Sequence, residues 1–147
     1  MKALIQRVQS AEVQIESNIF SKIHKGLLIF VGIEKGDSEK DIEYLIRKIP
    51  LLRIFEDSHG KMNLSLLDIK GEILVVSQFT LTANCKKGNR PSFDNIEEPS
   101  RAEALYTRFI EGLRKSGLKV ETGYFGAYMQ VYLVNDGPVT IILDSRK

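Results

Sequence analysis

The chain has 147 residues, enough for one domain with a sizeable core. Its 43% hydrophobic and 27% charged residues are typical of globular proteins, and no apolar run approaches the roughly 20 residues that cross a bilayer. The formal net charge of only +2 provides no global positive field, so neither a membrane nor DNA is expected as a partner.

Cysteine and histidine are scarce, which limits the chemistry available to the chain. The one cysteine, Cys85, excludes a disulfide within the chain and agrees with a cytoplasmic location, as does an N-terminus without a signal-peptide core. With two histidines, His24 and His59, we expect no zinc site, no other metal and no cofactor. His59 falls in a polar hairpin segment, where it is expected to be a solvated turn residue.

The N-terminal part of the chain has the pattern of several strands. Apolar residues alternate in residues 2–9 and again in residues 11–16, which predicts two half-buried strands. A short strand is expected over Ile19–Lys25, after a polar turn. Residues 27–33 are almost entirely apolar and are suited to a central strand.

Capping signals and apolar periodicity predict two main helices. Ser38, with an acidic residue three positions later, predicts a helix that carries one apolar stripe and ends at Pro50. Ser100 and Glu103 form a second capping box at the start of the clearest helix in the chain. Gly117 is the natural stop of that helix.

The remaining segments predict a hairpin and three more strands. The hairpin strands are Leu51–Phe55 and Lys61–Leu67, and the others are Leu118–Glu121, Met129–Val134 and Val139–Leu143. Together these elements predict an α+β fold in a single domain over residues 1–147. We expect a mostly antiparallel sheet, curled or barrel-like, with two main helices.

The stretch Glu72–Leu81 has the pattern of a buried strand that ends in polar residues. Four consecutive apolar residues precede Ser77, Gln78, Phe79 and Thr80. Desolvating an unpaired hydroxyl or amide costs about 1–3 kcal/mol, so these side chains are either satisfied by the local backbone or face a ligand. A strand end that leads into a capped turn is the simpler interpretation, and the residues alone leave both open.

Two other segments could contribute to a site. The long irregular segment 82–99 contains the basic run 86–90, which is either a solvated loop or a contact for RNA. Gly137-Pro138 lies in a segment with good turn chemistry between two predicted strands, although a cis Gly-Pro could instead direct carbonyl oxygens at an ammonium group. No histidine is evidently positioned beside a serine or cysteine nucleophile.

Several short motifs, taken in order, resemble the D-aminoacyl-tRNA deacylase family over essentially the whole chain. The two signature segments are SQFTL (77–81) and NDGPVT (135–140). The other segments are IQRV (5–8), KGLLIFVGI (25–33), LRIFED (52–57), KMNLS (61–65), KKGNRPSF (86–93) and GYFGAYMQV (123–131).

The resemblance implies a homodimeric enzyme that hydrolyses the ester joining a D-amino acid, or glycine mischarged on alanine tRNA, to the terminal adenosine of tRNA. It implies that the catalytic residues are Ser77, Gln78, Phe79 and Thr80. Gly137-Pro138 would be a Gly-cisPro element that reaches into the partner's pocket and rejects L-amino acids. The chain departs from many family members at residues 82–85, where they have an aromatic-acidic sequence.

Further residues receive candidate roles from the same resemblance. Arg7 either braces the Gly-Pro segment or is a surface strand residue, and Met129 and Phe125 either shape the pocket or pack in the core. The candidate phosphate contacts for the tRNA acceptor stem are Lys86, Lys87 and Arg90.

For the mechanism, backbone N–H groups near Phe79 and Thr80 could hold the oxyanion of an ester that is already activated. Thr80 could be the nucleophile, but no base is evident near it. We therefore prefer attack by water, with assistance from the ribose 2′-hydroxyl and a positioning role for Thr80. The rival hypothesis is a non-catalytic tRNA-binding or interaction module in which Ser77–Thr80 is a structural corner.

Overall fold

Strand β1 (Lys2–Ile15) organises the fold, because it pairs with three other strands. The structure is a computed structural model and describes residues 1–147. The other strands are β2 (Asn18–Ile23), β3 (Gly26–Gly32), β4 (Phe55–Glu56), β5 (Met62–Leu64), β6 (Glu72–Ser77), β7 (Val120–Thr122) and β8 (Gln130–Asp144). The helices are α1 (Glu39–Lys48), α2 (Leu66–Ile69) and α3 (Pro99–Arg114).

The main sheet has the strand order β2-β1-β3-β6-β7. Strand β8 pairs with β1 along the edge of β1 opposite to β2 and β3. The strands next to β1 are antiparallel to it, whereas β3, β6 and β7 are parallel to one another. Strand β2 also approaches β6 and β7, so the sheet is curled and nearly closed. The predicted α+β class is therefore confirmed, with a mixed sheet.

Each face of the sheet contributes to a separate part of the core. Helices α1 and α3 cover one face, where Ile5, Ile29 and Val75 pack against them. The two helices approach closely at Gly112, where a Cβ would lie 2.0 Å from Ile46. A smaller cluster around Leu74 fills the opposite, curled face. No helix has the length and hydropathy needed to cross a membrane.

The two strands predicted on either side of residues 135–138 are one continuous strand, β8. Gln6 of β1 is opposite Thr140, and Val8 is opposite Asn135, so residues 136–139 bulge outward across from Arg7. The predicted turn was therefore wrong, because both halves pair with the same neighbour. The same irregularity interrupts the apolar alternation of β1, which is why its two halves were expected to be separate strands.

The start of α1 was predicted correctly and that of α3 was not. The Ser38 N–H donates a 2.8 Å hydrogen bond to Asp41, as a capping box requires. Helix α3 begins at Pro99, and its cap is the Glu98 side chain, which accepts from the N–H and hydroxyl of Ser100. Proline is well suited to the first helical position, and a carboxylate is favoured beside it.

The predicted hairpin is present as β4 and β5, but both of its arms are shorter than expected. Leu51 belongs to a short 3-10 turn over Ile49–Leu51, and the second arm gives way to α2. Ser65 caps this helix by accepting from the N–H of Asp68 at 3.1 Å, a signal that was overlooked. His59 is exposed in the hairpin loop, as predicted.

Candidate active site

A pocket of about 690 Å³ opens where β6 ends, between residues of the two core clusters. Ser77, Gln78 and Phe79 form one part of its wall. Phe125 and Met129 lie on a second part, so both predicted pocket residues do line it. The remaining lining comes from the segment 96–99, Ile33, Val76, Ala102, Gly126, Ala127, Tyr128 and Val131.

The polar end of β6 leads into a short 3-10 turn over Phe79–Thr82. The Gln78 N–H donates to the Val31 carbonyl at 2.8 Å, which ties the turn to β3. The Thr82 hydroxyl donates to the Phe79 carbonyl, also at 2.8 Å. Gly32 allows this close packing, since a Cβ there would lie 3.0–3.1 Å from atoms of the turn.

The turn leaves two backbone donors available to a ligand. The N–H groups of Phe79 and Thr80 stand at the start of the turn, where no intrahelical carbonyl can accept from them. Neither has another hydrogen-bond acceptor within the chain. Two adjacent unpaired donors beside a pocket can stabilise an anion or a developing oxyanion.

Thr80 is exposed and is not among the residues that line the pocket. Its hydroxyl accepts a hydrogen bond from the Gln78 side-chain amide, and no histidine or carboxylate is bonded to it. The Nδ1 of His24 lies 3.1 Å from a carboxylate oxygen of Glu72, within hydrogen-bond distance. The structure thus brings Thr80 close to Gln78 but gives its hydroxyl no general base within the chain.

Phe125 and Met129 combine the two roles that the sequence left open. Phe125 packs against the core and against the Tyr106 ring at a centroid distance of 5.7 Å, and it also lines the pocket. Met129 packs against the core cluster around Val76. A Cβ on Gly123 would lie 2.9 Å from the Met129 sulfur, so this glycine leaves room for the thioether.

The Gly137-Pro138 peptide bond is cis, and both residues are exposed. They do not line the pocket of their own chain. Thr140, two residues further, is opposite Gln6, which is opposite Leu28, which is opposite Leu74 of β6. Three strand spacings, about 14 Å, therefore separate this part of β8 from β6.

Arg7 is buried, with only 5% of its surface exposed, and it holds the base of the β8 bulge. Its Nε donates to the Asp136 carbonyl at 2.8 Å, and the guanidinium also donates to the Ile54 carbonyl at 2.6 Å. The Asp136 carboxylate lies 3.6 Å from Nε. Arg7 is therefore not a surface strand residue, and it contacts the segment that contains Gly137-Pro138.

The basic run forms a closed loop next to the turn. Asn84 and Ser92 exchange two backbone hydrogen bonds of 2.8 and 2.9 Å, which define the residues between them as the basic loop. Its cations are exposed, with no carboxylate within ion-pair distance, and they are Lys86, Lys87 and Arg90. Phe93, directly after the loop, forms an edge-to-face pair with Phe79 at a centroid distance of 5.4 Å.

Glu97 and Glu98 form an acidic part of the pocket rim, and neither was among the candidate site residues that the sequence indicated. Glu97 is half-buried and lies 3.6 Å from Arg101. The Ser100 hydroxyl and N–H hold the pKa of Glu98 below its usual range. Pro99 was an available signal for the start of α3, since proline is favoured at the first helical position, but it does not indicate that this start lies at the pocket.

The model for the family described as D-Tyr-tRNA(Tyr) deacylase matches residues 4–144. The chain belongs to this family. It is 58% identical to a D-aminoacyl-tRNA deacylase of Aquifex aeolicus (strain VF5), over 100% of this chain and 99% of that protein. A D-aminoacyl-tRNA deacylase of Thermosipho melanesiensis is 57% identical, with the same coverage.

Two solved structures have the same fold. The structure titled c-Myc DNA Unwinding Element Binding Protein is 45% identical, has a TM-score of 0.92 and matches 98% of each chain. A structure of a probable eukaryotic D-amino acid tRNA deacylase is 17% identical, with a TM-score of 0.78 over 97% of each chain, which is a likeness of fold. Family membership confirms the resemblance read from the sequence motifs.

Proposed function

We propose that this chain hydrolyses the ester bond between a D-amino acid and the terminal adenosine of tRNA, releasing both. The observation that carries the proposal is the pair of unpaired N–H groups of Phe79 and Thr80, beside a pocket at the end of β6. Preorganised donors of this kind contribute about 2.7–4 kcal/mol each to stabilising an oxyanion. The relatives' names, D-aminoacyl-tRNA deacylase, supply the substrate class.

In the proposed reaction, water attacks the ester carbonyl and the C–O bond to the ribose breaks. The oxyanion of the tetrahedral intermediate accepts hydrogen bonds from Phe79 and Thr80, and the substrate's own ribose 2′-hydroxyl assists proton transfer. Thr80 has a positioning role, since its hydroxyl is bonded to Gln78 and to no base. Substrate assistance would explain how the reaction proceeds without a histidine in the site.

Chirality is enforced by excluding the L-amino acid. A rigid obstacle near Cα rejects one enantiomer by steric clash, and glycine, which has no side chain, passes the same filter. Gly137-Pro138 is the proposed obstacle. About 14 Å of sheet separates it from β6 within one chain, which supports its coming from a second copy.

The surface available for this second copy is the uncovered part of the sheet. Val76 on the pocket wall is opposite Phe30, which is opposite Leu4, which is opposite Ile142. Directly paired residues lie on the same face, so these four form one apolar row from the pocket to β8. Ile142, at the end of this row, is 69% exposed. A two-fold arrangement over this row would place β8 of each copy against β6 of its partner.

The tRNA itself is proposed to bind through its acceptor-stem phosphates. The cations of the basic loop (Lys86, Lys87 and Arg90) are exposed and free of carboxylate partners, so they can neutralise phosphates without reading bases. The loop adjoins the turn through the contact of Phe93 with Phe79. A phosphate contact there would bring the acceptor end close to the pocket.

Hydrolysis of matched substrates tests the proposal. The purified protein is incubated with D-Tyr-tRNA, L-Tyr-tRNA and glycine charged on alanine tRNA, and the remaining ester is measured over time. We expect loss of the first and third and survival of the second. Equal loss of both tyrosyl enantiomers would contradict the chiral filter, and survival of all three with tRNA binding would favour the non-catalytic module.

A further inference from the structure

We propose that Phe93 is a positioning residue that holds the oxyanion-binding turn and so orients the N–H groups of Phe79 and Thr80. The inference rests on the proposed function, since it assigns to Phe93 a role in the same site. Phe93 does not line the pocket. It acts on the reaction through Phe79.

The contact between the two rings is specific in geometry. Their planes are inclined by 72° at a centroid distance of 5.4 Å, the edge-to-face arrangement that aromatic pairs favour. Phe79 is 52% exposed and Phe93 is 37% exposed. Because neither ring is enclosed by the core, each depends on the other for a fixed orientation more than a buried ring does.

Backbone hydrogen bonds fix the chain on both sides of Phe93. The hydrogen-bonded pair of Asn84 and Ser92 closes the basic loop immediately before it. After it, the Asn95 carbonyl accepts from the Lys35 N–H at 3.0 Å, and the Glu97 N–H donates to the Ile33 carbonyl at 3.2 Å. The ring of Phe93 therefore has a fixed base from which to contact the turn.

In the turn itself, the N–H groups of Phe79 and Thr80 have no acceptor within the chain. Each shares a planar peptide with a bonded carbonyl, because the Gln78 carbonyl accepts from the Leu81 N–H and the Phe79 carbonyl from the Thr82 hydroxyl. The two donors are therefore fixed within the turn and move with it, and the turn contacts Phe93 through the Phe79 ring. Removing that contact is expected to loosen the turn as a whole and to weaken the oxyanion site.

The experiment compares Phe93→Leu and Phe93→Tyr with the unaltered protein on two substrates. One is D-Tyr-tRNA, and the other is D-tyrosyl-adenosine, which has no acceptor stem for the basic loop to contact. The matched control is Phe20→Leu, because Phe20 forms the other exposed edge-to-face pair, with Tyr124 at 5.9 Å. Backbone amide relaxation of Phe79 and Thr80 is measured by NMR on the same samples.

We expect Phe93→Leu to lower kcat by about two- to tenfold on both substrates, the range that corresponds to the loss of one aromatic pair. Phe93→Tyr should restore kcat, Phe20→Leu should leave it unchanged, and the amides of Phe79 and Thr80 should become more mobile only in Phe93→Leu. In a double-mutant cycle, adding Phe93→Leu to Phe79→Leu should not lower kcat further.

Two results would overturn the inference. One is a rise in KM on tRNA alone with no change on D-tyrosyl-adenosine, which would limit Phe93 to shaping the basic loop. The other is unchanged amide mobility in Phe93→Leu. If the unaltered protein is inactive, the proposed function fails. The NMR measurement needs no turnover, so the mobility of the Phe79 and Thr80 amides still tests whether Phe93 holds the turn.

Discussion

The Nε of Arg7 donates a 2.8 Å hydrogen bond to the carbonyl of Asp136, the residue directly before Gly137. The same guanidinium reaches the Ile54 carbonyl, so one buried side chain joins the β8 bulge to the chain entering β4. If Gly137-Pro138 excludes L-amino acids, its precision depends on this contact. Arginine suits this position because its planar guanidinium can donate hydrogen bonds to two carbonyls at fixed angles.

Replacing Arg7 with lysine should reduce chiral discrimination and stability together. Lysine cannot reproduce both hydrogen bonds, and a buried carbonyl left without a donor costs about 1–3 kcal/mol. A loss of only ~1.4 kcal/mol from the L-specific barrier would raise the relative rate on L-Tyr-tRNA about tenfold. Rates on both enantiomers and urea unfolding measure the two effects. A lower stability with an unchanged D/L ratio would restrict Arg7 to a structural role, and Arg53→Lys, in an exposed arginine, is the control.

Neutralising the basic loop should weaken tRNA binding without altering the chemical step. Each of Lys86→Ala, Lys87→Ala and Arg90→Ala should raise KM on D-Tyr-tRNA. Each should also reduce the slope of log KM against log salt concentration by about 1, the contribution of one phosphate contact. Their kcat should stay close to that of the unaltered protein. Lys61→Ala, a change in an exposed hairpin lysine, should have no effect. Slopes that match in all four variants would place the tRNA elsewhere.

The apolar row predicts how the two copies of the proposed dimer would meet. Ile142→Glu should place a charge within the proposed interface and leave the protein monomeric, as measured by light scattering. The monomer should lose discrimination against L-Tyr-tRNA, because the Gly137-Pro138 obstacle would no longer be supplied. Ile19→Glu is a fair control, since Ile19 is similarly exposed at 60% on β2. An Ile142→Glu protein that remains a dimer with intact discrimination would contradict the proposed surface.

The sequence predicted the elements that local patterns determine and missed those that depend on pairing across the sheet. The run before Ser77 predicted a buried strand, and the polar residues after it do border a pocket. In contrast, Asn-Asp-Gly-Pro has the chemistry of a turn, and only the registers Gln6–Thr140 and Val8–Asn135 reveal a bulge within one strand. No local signal could distinguish the two.

The acidic rim illustrates the same limit at the site. Glu97 and Glu98 precede a proline and look like solvated loop residues, yet the start of α3 lies against the pocket. Their position depends on the Glu97 N–H bonding to Ile33, 64 residues earlier in the chain. Long-range contacts of this kind carry no signature in one sequence.

Asp41 should make the stability of the protein sensitive to acid. Burial raises the pKa of its carboxyl, but hydrogen bonds from the Ser145 hydroxyl and from Ser38 outweigh this, so the pKa is lowered overall. A lowered pKa in the folded state contributes stability above the unfolded value, about 3.9, and this is lost as the pH falls through the folded value.

The unfolding free energies of the unaltered protein and Asp41→Asn should therefore differ most above about pH 5 and converge as the pH falls below about 4 and through the lowered pKa of Asp41. Urea titrations across this range measure the difference. Glu43→Gln, which changes an exposed carboxylate on the same helix, is the matched control variant. If the difference in unfolding free energy between the unaltered protein and Asp41→Asn stays constant with pH, the Asp41 carboxyl is not the acid-sensitive group.

The role of Thr80 is decided by two changes made together. Thr80→Ala removes the hydroxyl that accepts from Gln78 but leaves the backbone N–H in place, so kcat on D-Tyr-tRNA should fall by no more than about tenfold. A substrate that ends in 2′-deoxyadenosine should lose far more, about 100-fold or beyond, because general acid–base assistance is worth that much. Single-turnover rates measure both. If Thr80→Ala is inactive while the 2′-deoxy substrate reacts normally, Thr80 is the nucleophile, since only a covalent acyl-threonine pathway requires its hydroxyl and dispenses with that of the ribose.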